Sequence, residues 1–132
     1  MQSTGLIYVE LKSGYADNGP AWIGKGFYSK SGKTIYFNGQ AFKKFGKVGN
    51  YYDWETKDDY WISGVKKKDS NRHWAGSGKI TIDEAVVEEF LELRGKSALS
   101  KQWYIVEKLN NEPDIEKFNE ERNLSYRETE GD

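Results

Sequence analysis

His73 is the only histidine in the chain, and an acidic patch of four carboxylates, Asp53, Glu55, Asp58 and Asp59, precedes it by 14 to 20 residues. A histidine beside ionised carboxylates is the raw material of general acid–base hydrolysis, and a carboxylate pair alone can work on a glycosidic bond. A small hydrolase-like enzyme with Asp53, Asp58 and His73 converging in one pocket is therefore one expectation. The acidic run does not follow a helix–loop–helix calcium pattern, because Lys57 and Gly64 stand where ligands would be needed. A lone histidine has no partner at metal-binding spacing, so no metal site is expected.

Two lysine-bearing glycine runs invite a nucleotide reading. A phosphate loop needs G-x-x-x-x-G-K-[ST] after a strand and opening a helix, so that backbone N–H groups converge on the phosphates. In "GPAWIGKG" (19–26), Gly26 replaces the hydroxyl residue, and Pro20 lacks an N–H. In "GSGKIT" (76–81), His73 occupies the first glycine position and Ile80 follows the lysine. Glycines that bend strands around a small barrel account for both runs better. No cofactor is expected.

The aromatics are the strongest chemical signal. Five Trp, nine Tyr and six Phe stand among 132 residues, more than a domain of this size can bury. Tyr51, Tyr52, Trp54, Tyr60, Trp61 and Trp74 crowd one segment, interleaved with Lys57, Lys66, Lys67, Lys68 and Arg72. Neighbours on a strand face opposite ways, so Tyr60 and Trp61 cannot both enter a core. Outward aromatics beside cations suit an extended peptide or the bases and backbone of single-stranded nucleic acid. The candidate face is Tyr52, Trp54, Tyr60, Trp61, Lys67, Arg72 and Trp74. The competing reading is that residues 82–124 cover these rings.

The positioning elements follow from periodicity. "LIYVEL" (6–11) alternates as a half-buried strand; "YADNGP" (15–20) is turn chemistry; "AWIGKGFYS" (21–29) and "TIYF" (34–37) resume strands. Asn38-Gly39 supplies the positive φ angles of a type I′ hairpin turn. "FGKVGN" (45–50) is a loop, 51–65 gives one strand or two around a polar bend at 55–59, and 66–72 turns a further hairpin onto 73–81. "TIDE" from Thr81 is a capping box opening an amphipathic helix over 82–94, with Ile82, Val86, Phe90 and Leu93 on one face and Gly95 as its stop. A strand over 102–109 and a helix over 111–124, begun by Pro113, complete the chain.

The words "YVELKSGYADNGPAWIGK" (8–25), "SGKTIYFNGQAF" (31–42), "GNYYDWET" (49–56) and "YWISGVKKKDSNRHWAGSGKITID" (60–83) resemble a family of small bacterial proteins without an established activity. The resemblance covers roughly residues 5–95. Some members carry the name 1-deoxy-D-xylulose-5-phosphate synthase. That enzyme's Gly-Asp-Gly…Asn thiamine-diphosphate motif is absent from this chain, so the resemblance implies a bacterial origin and transfers no catalytic residue.

Composition sets the remaining bounds. A chain of 132 residues without cysteine has no disulfide or thiolate chemistry, in keeping with a reducing compartment. It has neither a secretory leader pattern nor an apolar run long enough to span a bilayer, so a cytoplasmic protein without membrane contact is expected. Residues 1–79 hold 13 Lys/Arg against 7 Asp/Glu, and residues 80–132 hold 7 against 14. The expected fold is α+β and mainly β: a small SH3-like barrel or curled antiparallel sheet of five or six strands. Helix 82–94 packs on it within residues 1–95, and an acidic extension, 96–132, adds a peripheral C-terminal helix. The expected function is a non-enzymatic module that binds protein or peptide, with single-stranded nucleic acid as the alternative ligand.

Overall fold

The computed structural model describes residues 2–12, 19–45, 49–67 and 78–111. Eight strands are present: β1 (Gln2–Leu11), β2 (Ala21–Tyr28), β3 (Thr34–Phe37), β4 (Gln40–Lys44), β5 (Tyr51–Asp53), β6 (Asp59–Gly64), β7 (Ile80–Asp83) and β8 (Tyr104–Glu107). A 3-10 turn (Glu84–Val86) leads into helix α1 (Val87–Arg94) between β7 and β8. Each of β1 to β6 pairs antiparallel with the next, and β6 closes on β1, giving a six-stranded up-and-down barrel. The mainly β, curled architecture with one short helix is the fold class the sequence predicts. No helix among the described residues is long and apolar enough to cross a membrane.

Period-two alternation divides the apolar residues between two cores. Ile7 and Val9 of β1 point into the barrel with Ile35, Phe37, Phe42, Tyr60 and Ile62. Tyr8, one residue out of phase, points outward to a second core with Ala21, Ile23, Ile80, Ile82, Val86 and Phe90. That second layer lies between the wall formed by β1, β2 and β7 and helix α1, and it explains why an eight-residue helix is stable: isolated helices this short are marginal in water.

The hairpin at Asn38-Gly39 forms as its turn chemistry requires, with φ of 48° and 76° and Phe37 paired to Gln40. The segment 51–65 resolves into two strands, β5 and β6. Helix α1 ends in a Schellman arrangement: Gly95, at φ 65°, donates to the Glu92 carbonyl, and Lys96 donates to the Leu91 carbonyl.

Two expectations are corrected. The helix expected over 82–94 under a Thr81 cap begins only at Val87; Thr81, Ile82 and Asp83 belong to β7, held parallel to β2 on one side and to β8 on the other. Two ladders outweigh one local capping box, and the cap passes to Asp83, whose carboxylate accepts from the Ala85 amide at 3.2 Å. Nor is β7 the return strand of a hairpin with β6, since its partners are β2 and β8. Residues 68–77, the expected hairpin turn and outgoing strand, lie outside the described residues, as do most of the 15–20 turn and all of the 111–124 helix beyond Asn111.

A fork in β2 joins barrel and appendage. Trp22 and Ile23 pair with β7, whereas Phe27 and Tyr28 pair with β3. The glycines of the first decoy run sit between. A Cβ on Gly24 would come within 3.0 Å of the Phe37 ring and 3.5 Å of Leu109. The gap admits Leu109, which is buried in the barrel core. Its amide donates to Asp83 Oδ1 at 3.4 Å, and the Asn110 amide donates to Asn38 Oδ1 at 2.9 Å. The chain beyond residue 95 is thereby tied to the barrel.

Candidate functional site

The barrel wall formed by β4, β5 and β6 carries the aromatic residues singled out above, and strand parity decides which way each faces. Tyr60 pairs with Tyr51 and Trp61 with Glu10. Tyr60 is 6% exposed and meets the Phe42 ring edge-on at 4.7 Å, whereas Trp61 is 44% exposed. Tyr60 is thus a core residue and leaves the candidate face; Trp61 stays on it. Burial, assisted by the nearby Asp53 and Asp58 carboxylates, raises the Tyr60 pKa, while its hydrogen bond with Gln40 works the other way.

Tyr52 stands opposite Lys43 across the β4–β5 ladder and opposite Asp59 across β5–β6, on the outer face. Trp54 follows directly, in the turn after β5. Its amide donates to the Ala41 carbonyl at 2.9 Å, and its side chain packs on Tyr36 and Ala41 against the barrel's outside. The turn is built by Asp53. This buried carboxylate accepts from the Glu55 and Thr56 amides through Oδ1, at 2.8 and 3.2 Å, and from Gln40 Nε2 through Oδ2, at 2.6 Å. Lys57 then takes φ 66° and its amide donates to the Asp53 carbonyl at 2.8 Å.

That reversal folds the Lys57 side chain back over the tryptophan. Its ammonium lies 3.7 Å from the Trp54 ring centroid and 5.8 Å from that of Tyr52, and it donates to the Trp54 carbonyl at 2.6 Å. The Lys43 ammonium lies 4.5 Å from the same Trp54 ring. Both ammoniums thus lie within cation–π reach of one indole, and Asp59 stands across from Tyr52 on the neighbouring strand.

Of the remaining candidates, Lys67 is exposed but lies past the far end of β6. It stands eight residues beyond Asp59, the β6 position opposite Tyr52. Arg72, Trp74 and His73 lie outside the described residues. Sequence reasoning left both lysines of this cluster out of the candidate face: Lys57 entered only as an interleaved cation, and Lys43 not at all. Its signal was present in the hairpin register: with Phe42 inward, Lys43 had to face outward beside the next strand. Of the hydrolase expectation, Asp53 holds the turn with both oxygens, and His73 falls outside the described residues. Among the described residues no group of three or more His, Cys, Asp or Glu side chains could hold a metal ion.

A second polar feature lies on the same outer surface of β1. Glu10 is buried, accepts the Tyr8 hydroxyl through Oε1 and pairs with the Lys12 ammonium at 2.8 Å through Oε2. The hydroxyl hydrogen-bonds one oxygen, and the ammonium compensates the charge at the other, which among the described residues makes no hydrogen bond of its own. No family model, curated protein or solved structure matches the chain. The site is therefore read from its own geometry.

Proposed function

We propose that this chain is a non-enzymatic binding module whose outer barrel wall, centred on Trp54, holds an extended protein or peptide segment with acidic side chains. The observation that carries the reading is the convergence of the Lys43 and Lys57 ammoniums on the Trp54 ring beside Tyr52. The aromatic floor offers apolar contact at low entropic cost, the Lys57 ammonium over it attracts a carboxylate, and Trp61 extends the face across β6. The geometry favours peptide over single-stranded nucleic acid because a backbone-tracking groove needs a longer row of cations. Two lysines predict a salt slope of only about −1.4 for a single strand, too shallow for nucleic-acid affinity at physiological salt.

The test is tryptophan fluorescence, with amide shifts, during titration with acidic extended peptides bearing one aromatic residue, and separately with oligothymidylate. The expected result is saturable peptide binding that Trp54→Ala abolishes and that Lys43→Glu with Lys57→Glu weakens at least about tenfold. Binding of oligothymidylate in place of every peptide transfers the face to the nucleic-acid reading. Peptide binding indifferent to all three substitutions refutes the site.

A further inference from the structure

The barrel closes on itself, but the appended pair β7–β8 does not, and β8 is the last strand in the order β1-β6-β5-β4-β3-β2-β7-β8. Its side chains are unusual for an edge. Trp103, Ile105 and Val106 are 48%, 43% and 50% exposed, three of the five large apolar residues that the described surface leaves open. Edge strands are ordinarily protected by charge, proline or a bulge, and β8 has no proline and only Glu107 within its span.

The backbone of β8 fixes what can pair with it. The Ile80 amide donates to the Trp103 carbonyl at 2.9 Å, and Ile80 is in register with Tyr104 and Ile82 with Val106. Odd-numbered residues therefore turn their amides and carbonyls to β7, and even-numbered residues turn theirs outward. The Leu109 amide, bound inward to Asp83, follows the same parity. One outward group is already satisfied, because the Tyr104 amide donates to the Ser100 carbonyl at 3.0 Å. Among the described residues that leaves the Tyr104 carbonyl, the Val106 amide and carbonyl, and the Lys108 amide and carbonyl, in the order acceptor, donor and acceptor, donor and acceptor.

We propose that this edge is a self-recognition surface: two copies of the chain pair β8 to β8, antiparallel, about a two-fold axis at Val106, making one continuous sheet. In this register each Val106 exchanges amide and carbonyl with its equivalent, and each Lys108 amide donates to the Tyr104 carbonyl of the second copy. Four of the five open groups are satisfied; the Tyr104 amide keeps Ser100, and the Lys108 carbonyl across from it stays in solvent. Shifting the axis to Ile105 instead would set the Val106 carbonyl against the Tyr104 amide, which is already bound, and leave that carbonyl without a donor. The side chains agree with the axis at Val106. Valine meets valine, Lys108 lies across from the Tyr104 ring, Glu107 lies across from Ile105, and no like charges oppose. The contact is one short strand, smaller than the roughly 800 Å² per partner of a stable complex, so the dimer is weak and concentration-dependent.

The absence of cysteine makes the register directly testable. Two Val106→Cys chains would bring their Cα atoms to about 5.5 Å, inside the disulfide window. Two Lys108→Cys chains would be held about 13 Å apart along the strand. Under mild oxidation, Val106→Cys should cross-link at least about tenfold faster than Lys108→Cys. Sedimentation of the unmodified chain from about 10 μM to about 1 mM should show reversible dimerisation. Val106→Pro removes an amide that β7 does not use, as edge strands tolerate, and should give a folded monomer. If it does not fold, Val106→Lys, which sets two ammoniums face to face, decides the matter by the same sedimentation. A chain that stays monomeric to about 1 mM, equal cross-linking of the two cysteine variants, or a dimer untouched by these substitutions overturns the inference.

Discussion

Asp53 supports the candidate site without lying on its surface, and replacing it should damage both fold and binding. Its carboxylate accepts three hydrogen bonds, from the Glu55 and Thr56 amides and from Gln40 Nε2, in a position that is nearly fully buried. Asp53→Ala leaves two backbone amides at the turn without their acceptor and takes one of two acceptors from the half-buried Gln40 amide, which keeps the Tyr60 hydroxyl. Hydrogen bonds to a charged group contribute about 1.5–3 kcal/mol each, but deletions at one residue are not additive and water reaches the turn, so a loss of about 2–4 kcal/mol is expected. Asp53→Asn keeps an oxygen for the two turn amides and needs only a flip of the Gln40 amide to restore the third bond, so its loss should stay near 1 kcal/mol. Because this turn places Trp54 and Lys57 on the wall, Asp53→Ala should also weaken peptide binding under conditions where the barrel remains folded. Urea unfolding followed by tryptophan fluorescence gives the stabilities. The Lys57 amide shift, which reports its positive φ, gives the local geometry. An Asp53→Ala protein within about 0.5 kcal/mol of wild type, or one with the turn shifts unchanged, would refute this account of the site.

Other perturbations follow from the same contacts. Phe90, buried between α1 and the wall and edge-on to Tyr104 at 5.5 Å, should cost about 3–5 kcal/mol as Phe90→Ala in calorimetric or denaturant unfolding. The Tyr104 ring resonances should shift with it. Gly26→Ala would drive a methyl into the Tyr36 carbonyl and separate β3 from β2, costing upwards of about 2 kcal/mol. Gly64→Ala meets nothing within 4 Å and should be neutral or stabilise by up to about 1 kcal/mol. Burial raises the pKa of Tyr51, Tyr60 and Tyr104 above 10.0. The folded state thus holds its phenolic protons after the unfolded chain begins to release them. Stability should be level below about pH 9 and fall above about pH 10, by at most about 1.4 kcal/mol per pH unit for each tyrosine. Tyr60→Phe should shallow that fall in denaturant titrations across the alkaline range.

What the sequence disclosed, and what it hid, divides along physical lines. Local signals were legible. Asn38-Gly39 demanded a hairpin, Gly95 demanded a helix stop, and alternation in 6–11 separated Ile7 and Val9 from Tyr8. The parity argument that Tyr60 and Trp61 could not share a core was sound, but parity alone does not say which of the two is inside. Closure decides that, because Tyr60 has to meet Phe42 from the strand two places away. Thr81 misled because a capping box is a local preference, while the β2 and β8 ladders that claim it arise from residues some sixty positions before and twenty after. Lys43 was overlooked for a related reason: its partner ring, Trp54, is brought to it by the β4–β5 register and by a turn whose positive φ falls on a lysine rather than a glycine.

Closure also bears on how this domain can meet other molecules. An open sheet of eight strands would present two edges, whereas the ring from β1 to β6 has none, since each strand hydrogen-bonds on both sides. The only way to extend such a ring is to fork one strand, and the glycines at 24 and 26 let β2 do so without crowding Phe37, Tyr36 or Leu109. Forking moves the edge outward to β8, away from the wall that carries Trp54, Lys43 and Lys57. Backbone pairing and side-chain recognition are thus carried by different parts of the chain. The two should respond independently: Val106→Pro ought to leave acidic-peptide affinity within about twofold of wild type, and Trp54→Ala ought to leave β8 cross-linking unchanged. Coupling between them larger than about 0.5 kcal/mol in a double-mutant cycle would mean that barrel and appendage act as one binding surface, and the separation drawn from the fork would fail.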